Sequence, residues 1–286
     1  MKMLLRSLNL AELLSAFIRK GGWLFAPLGG FALLYLLQDK LVFNPARTPP
    51  AIHRSNATHR ARAVTLSMHD GARLRGWWMR PVRTCPIRCP VLIYFGGRSE
   101  EVSWVSEHAV PGVHTLLVNY RGYGDSDGKP SESKLLADAL ELYDWISGQA
   151  GVDPDRITVI GRSLGTGIAT YLATQRPVSA VVLITPYDSI VEIARRRFPY
   201  CAARLLLKHR FDSIRIAAAA RPPVLGLLAD QDEVVPKHHA LRLFDAWAGP
   251  RQIITISSTN HCDIQLHPAT WQAIRDFVCS PASVDA

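Results

Sequence analysis

Three residues in this chain stand where a nucleophile, its base and the acid that orients the base would have to stand. Ser163 sits in Gly161-Arg162-Ser163-Leu164-Gly165, between the apolar run Ile157–Ile160 and a helix-like stretch, Thr166 to Ala173. A G-x-S-x-G sequence also arises as a plain tight turn. Strand before and helix after are the context in which it forms a nucleophile elbow, with the serine hydroxyl presented at the sheet edge. Small residues flanking the serine let strand and helix backbones crowd together. The helix N-terminus behind the serine favours developing negative charge.

A serine hydroxyl alone is a poor nucleophile, so a histidine must take its proton and a carboxylate must hold the imidazole in one tautomer. The buried run Leu225–Ala229 leads into Asp230-Gln231-Asp232-Glu233-Val234-Val235-Pro236, and Gln252–Ser257 leads into Asn260-His261. His261 is the expected base and Asp230 or Asp232 the expected acid; each follows the end of a strand. Asp188 is a further candidate carboxylate. Of the ten histidines, His238, His239 and His267 read as surface residues. His238 and His239, being adjacent, cannot share a helix face as ligands, so no metal site is expected there. An oxyanion hole needs backbone N–H donors aimed at the attacked carbonyl. Leu164 is one expected donor, and Gly97 or Arg98, in the loop after Tyr94-Phe95, is the other.

Together Leu92–Arg98, Asn119-Tyr120-Arg121-Gly122-Tyr123-Gly124-Asp125-Ser126-Asp127-Gly128, the elbow, Asp232–Pro236 and Asn260-His261 resemble the α/β-hydrolase superfamily. Within it they resemble the membrane-anchored Bem46-like serine hydrolases. The likeness spans about residues 60–280. It implies an acid at Asp232, from the D-x-x-V-P ending, and an order of Ser, Asp, His along the chain. Where such proteins often carry His-Gly-Asn, this chain has Gly96-Gly97-Arg98, which leaves the second oxyanion donor open between Gly97 and Arg98.

The elements that must position these residues are legible in the pattern. Ala63–Met68 and Arg73–Met79 read as an antiparallel pair turning at Asp70-Gly71. Short apolar, β-branched runs at 91–95 and 115–119 suit buried parallel strands, and further strands are expected at 157–161, 181–185, 224–229 and 252–257. Helices fall between them, including 131–147, with Ser131 as its cap. The alternation predicts an α/β fold, a mostly parallel central sheet with helices on both faces. Residues 187–220 are too long for a plain connection and read as a short helical cap shaping an acyl pocket. The cap is basic, with Arg195, Arg196, Arg197, Arg204, Lys208, His209 and Arg210.

Apolar residues make up 48% of the 286 and charged residues 20%, a globular composition with something extra hydrophobic. The extra lies at the N-terminus. Leu10, Leu13, Leu14, Phe17 and Ile18 form one face of an amphipathic helix, and Gly21–Gln38 runs 18 residues without a charge. As a helix that run spans roughly 27 Å, close to the hydrocarbon thickness. Residues 1–43 are therefore expected to form a membrane anchor, 44–60 a linker and 61–280 the hydrolase domain. Pro27 and Gly29-Gly30 keep an interfacial segment open as the alternative to a span. Four basic residues before the run (Lys2, Arg6, Arg19, Lys20) against three after it (Lys40, Arg47, Arg54) favour a catalytic domain on the non-cytoplasmic side. Of the five cysteines, Cys85 and Cys89 could pair in an oxidising compartment. Net charge +9 suits an anionic membrane. No nucleic-acid motif is present, and no nucleic-acid partner is expected.

The expected activity is hydrolysis of carboxylic esters or thioesters, with an acyl or lipid-like group, through an acyl-enzyme and without a metal or organic cofactor. The alternatives are a peptidase or amidase on the same three residues, and a silent hydrolase-fold protein that binds lipid or a partner at a membrane.

Overall fold

The computed structural model describes residues 35–47, 61–81, 88–197 and 206–279. Among these residues eight strands form one sheet in the order β1-β2-β4-β3-β5-β6-β7-β8. They are β1 Ala61–Ser67, β2 Arg73–Met79, β3 Cys89–Phe95, β4 His114–Val118, β5 Val152–Arg162, β6 Ala180–Ile184, β7 Val224–Ala229 and β8 Arg251–Ile256. The pairings β1–β2 and β2–β4 are antiparallel, and every other pairing is parallel. The expected strands are all present, most within one or two residues of the pattern; β5 begins earlier, at Val152.

Strands β3, β6 and β7 are apolar along their length because both sheet faces are covered. Along β3, Val91, Ile93 and Phe95 enter one core, while Leu92 and Tyr94 enter the other. The first core is closed by helices α2 Glu132–Ser147, α3 Leu164–Gln175, α5 Ser213–Ala217 and α6 Lys237–Ala246. The second is closed by a 3-10 helix, Val102–His108, and by α7 Pro268–Cys279. Ser131 caps α2 as expected, its side chain accepting from Lys134 N. The cap contributes α4, Ile190–Arg197; residues 198–205 lie outside the described residues.

The packed body starts further upstream than residue 61. Residues 35–42 form helix α1, and Phe43 just after it is 0% exposed, with its ring edge-on to His209 and Phe211. Gln38 is buried as well, donating to Leu206 O and accepting from Lys208 N at 2.7 Å. Residues 38–47, assigned by pattern to the anchor and linker, therefore belong in part to the hydrolase body. No helix among the described residues is long and apolar enough to cross a membrane; most of the charge-free stretch, residues 21–34, lies outside them.

Candidate active site

Ser163 occupies the turn between β5 and α3 with φ 48° and ψ −113°, a region a side-chain-bearing residue enters only when its surroundings impose it. The two glycines explain how the turn closes. A Cβ on Gly161 would sit 2.5 Å from Gly165 O, and one on Gly165 would sit 2.1 Å from Phe95 O. Either would force strand and helix apart. Ser163 N–H donates to Ile184 O at 2.9 Å, tying the elbow to β6.

From the half-buried Ser163 a continuous polar chain runs inward. Its Oγ lies 2.9 Å from His261 Nε2, and His261 Nδ1 lies 2.8 Å from Asp232 Oδ2. Asp232 Oδ1 accepts from Val234 N and Val235 N at 2.9 and 2.7 Å, so its carboxylate is fixed on two sides. His261 is only 8% exposed. Such an arrangement can pass a proton from the serine to the imidazole, with the carboxylate holding the tautomer and stabilising the imidazolium.

Two loops border the space in front of Ser163. Leu164 N–H belongs to the first turn of α3, where backbone donors have no partner within the helix. Across from it, Gly97 N–H donates to Glu100 Oε2 at 2.5 Å and is thus engaged. Arg98 N–H has no hydrogen-bond partner among the described residues. Of the two residues left open by the sequence, Arg98 is therefore the one with a donor to offer.

A family model described as the alpha/beta hydrolase fold matches residues 90–213. The alpha/beta hydrolase domain-containing protein WAV2 of Arabidopsis thaliana is 30% identical over 241 residues, covering 75% of this chain and 77% of that one. The chain belongs to the alpha/beta hydrolase superfamily. An uncharacterized protein of Mycobacterium tuberculosis is 34% identical over 260 residues, 89% of this chain and 92% of that protein. Among solved structures, an acetyl xylan esterase from Paenibacillus sp. R4 superposes with a TM-score of 0.63 at 19% identity, covering 80% of this chain and 90% of that one. A Pyrococcus furiosus esterase superposes with a TM-score of 0.64 at 15% identity, covering 83% and 96%. At these identities the likeness is one of fold.

The rival carboxylates of this alpha/beta hydrolase have other partners. Asp230 accepts from Ser258 N and Thr259 N at 2.9 and 3.0 Å, which holds its carboxyl below the usual range and shapes the loop leading to His261. Asp188 is buried, accepts from Ser189 N, and pairs with His239 Nδ1 at 2.9 Å and with Arg242. It thereby ties the start of the cap to α6. His239, expected at the surface, is instead 3% exposed because it supplies that pairing. No cluster of metal-ligating side chains occurs among the described residues. Cys89 is disulfide-bonded; Cys85 lies outside the described residues.

Sequence reasoning passed over a buried pair beside the elbow. Glu100 accepts from Arg162 Nη1 at 2.8 Å, Tyr94 OH at 2.8 Å and Trp104 Nε1 at 3.1 Å, besides Gly97 N–H. Arg162 Nη2 reaches His261 O at 3.2 Å. Burial works against the Arg162 charge, and the Glu100 carboxylate outweighs it, so the guanidinium stays firmly protonated. The pair joins the Gly97–Arg98 loop to the loop of His261. The only signal in sequence was a charged residue at the second position of the elbow. Glu100→Ala would leave Arg162 buried and unpaired, at a cost of about 3–5 kcal/mol. Urea unfolding of the variant against the parent, at equal m, measures that loss.

Proposed function

We infer that the protein is a serine hydrolase of carboxylic esters or thioesters. The observation that carries this reading is the unbroken Ser163–His261–Asp232 chain at 2.9 and 2.8 Å, with its serine on a positive-φ elbow. Ser163 Oγ attacks the substrate carbonyl as its proton passes to His261 Nε2. The oxyanion takes hydrogen bonds from Leu164 N–H and Arg98 N–H. The intermediate collapses as His261 gives its proton to the departing alcohol or thiol, leaving an acyl-serine. Water, deprotonated by His261, repeats the attack and releases the acid. A silent binding module has no use for the backbone strain at Ser163, which costs on the order of 1–3 kcal/mol. Labelling by a fluorophosphonate probe, with release of p-nitrophenol from short-chain esters, tests the reading directly. Turnover of matched p-nitroanilides in place of esters would favour an amidase.

The substrate we propose carries an acyl or lipid-like group and meets the enzyme at a membrane, as in the Bem46-like anchored group. The charge-free run Gly21–Gln38 ends inside α1, which exposes Leu36 (73%), Leu37 and Leu41 to solvent. Arg195, Arg196, Lys208 and Arg210 are exposed along the cap, and cations near an anionic bilayer are worth about 1 kcal/mol each. A disulfide at Cys89 accords with a domain on the non-cytoplasmic side. Replacing Arg195, Arg196 and Arg197 together by Gln is expected to weaken hydrolysis of a substrate embedded in anionic vesicles. Turnover of a soluble short-chain ester is expected to change little. Raising salt from about 0.05 to about 0.5 M, roughly a threefold shorter Debye length, should reproduce the loss in the parent protein. Equal loss on both substrates would assign these arginines to the pocket instead.

A further inference from the structure

The segment after α1 touches the loop that presents Arg98. Phe43 O accepts from Ser99 N at 3.1 Å and also from Tyr123 OH. Asn44 Nδ2 donates to Ser99 Oγ at 2.7 Å, and Ala46 O accepts from Gly124 N at 2.7 Å. The segment is itself fixed, because Phe43 is fully buried and Asp39 pairs with His209 at 3.0 Å. Both Asn44 (φ 45°) and Ser99 (φ 59°) hold positive φ where they meet, a conformation Asn enters readily and Ser seldom does.

These contacts have a direction. On one side of Arg98, Gly97 N–H is pinned by Glu100 and Gly96 O accepts from Tyr120 OH at 2.7 Å. On the other, Ser99 is pinned through both its N–H and its hydroxyl by Phe43 and Asn44. The one backbone donor left without a partner among Gly97, Arg98 and Ser99 lies between the two clamps. An oxyanion hole gains its effect from donors aimed before reaction begins, so what fixes the peptide on either side of Arg98 governs how well its N–H is aimed.

We propose that residues 43–47 form a strap on the oxyanion loop and that Asn44, through Ser99, is a positioning residue for the hydrolysis. The proposal rests on the serine hydrolase reading of Ser163. It makes the chain just after the apolar N-terminal stretch part of the catalytic machinery rather than a spacer. Asn44 touches no reacting atom; it sets the aim of Arg98 N–H.

The test uses the full-length protein in detergent with p-nitrophenyl acetate and a boronic acid that mimics the tetrahedral adduct. Asn44→Gly removes the side chain while accepting φ 45° without strain. It is expected to lower kcat by about tenfold, less than the 10²–10³ of losing a whole oxyanion donor. KM should stay within about twofold, and boronate affinity should fall in step with kcat, the mark of an interaction made in the transition state. Ser99→Ala removes the same bond from the other side, and the double variant should be no worse than either single one. Unchanged kcat and boronate affinity in a folded Asn44→Gly protein would overturn the strap. So would losses in kcat that simply add in the double variant, or that follow a lowered Tm with KM rising in parallel. A parent protein that neither turns over ester nor labels at Ser163 would instead remove the hydrolase reading beneath it.

Discussion

Ser163→Ala is expected to abolish ester turnover, with kcat falling on the order of 10⁶ as in subtilisin when its nucleophile is removed. Covalent labelling by fluorophosphonate should disappear with it. The fold should survive, because the side chain is half-buried and, among the described residues, its one hydrogen bond is to His261 Nε2. The backbone bonds that close the elbow, Ser163 N–H to Ile184 O and Thr166 N–H to Ser163 O, do not involve the side chain. Near-unchanged Tm with total loss of labelling is the expected pair of results. Labelling that persists in a folded Ser163→Ala protein would place the nucleophile elsewhere.

Asp232→Asn is expected to lower kcat by several decades, about 10⁴ as in serine proteases whose orienting aspartate becomes an amide, with little change in fold. The cause is specific. Asp232 faces His261 Nδ1 at 2.8 Å and is held by Val234 N–H and Val235 N–H, both of which donate to Oδ1. An amide at 232 keeps its oxygen toward those two donors and turns its NH2 to Nδ1, leaving the proton on Nε2, where it cannot accept from Ser163. Asp230→Asn should act only through the loop it shapes, because its oxygens take Ser258 N–H and Thr259 N–H and do not reach the imidazole. An amide at 230 can accept only one of those two bonds, so its effect reaches the imidazole only through a loosened loop and should be far smaller. Steady-state kinetics of the two variants side by side decide the matter, and a reversed order would move the acid to Asp230.

Much of this molecule is local and therefore legible in its residues. The buried strands β3, β4, β6 and β7 are set by apolar stretches of strand length, and α2 by a 3.6-residue apolar period behind a serine cap. Gly161 and Gly165 announce the elbow because only a residue without a Cβ fits where backbone meets backbone. What was local in the site was legible too: a serine at a strand-to-helix turn, and an acid and a base each just past a strand end.

The tertiary structure decided whatever depends on two distant segments meeting. Asp230 and Asp232 sit two residues apart in one loop, and composition cannot say which one turns toward a histidine 29 positions away; the backbone donors at 234 and 235 do. Gly97 and Arg98 are equal candidates in the sequence, and only the fold engages the Gly97 N–H with Glu100. The Glu100–Arg162 pair spans 62 positions and the Asn44–Ser99 bond 55, and neither leaves a periodic trace in the chain. His239 reads as an exposed helix residue until α6 is docked against Asp188. Periodicity reports how a segment divides its surface between core and solvent. Long-range polar pairing is chosen only when packing brings the two partners together, and it is that pairing which aims each group in the site.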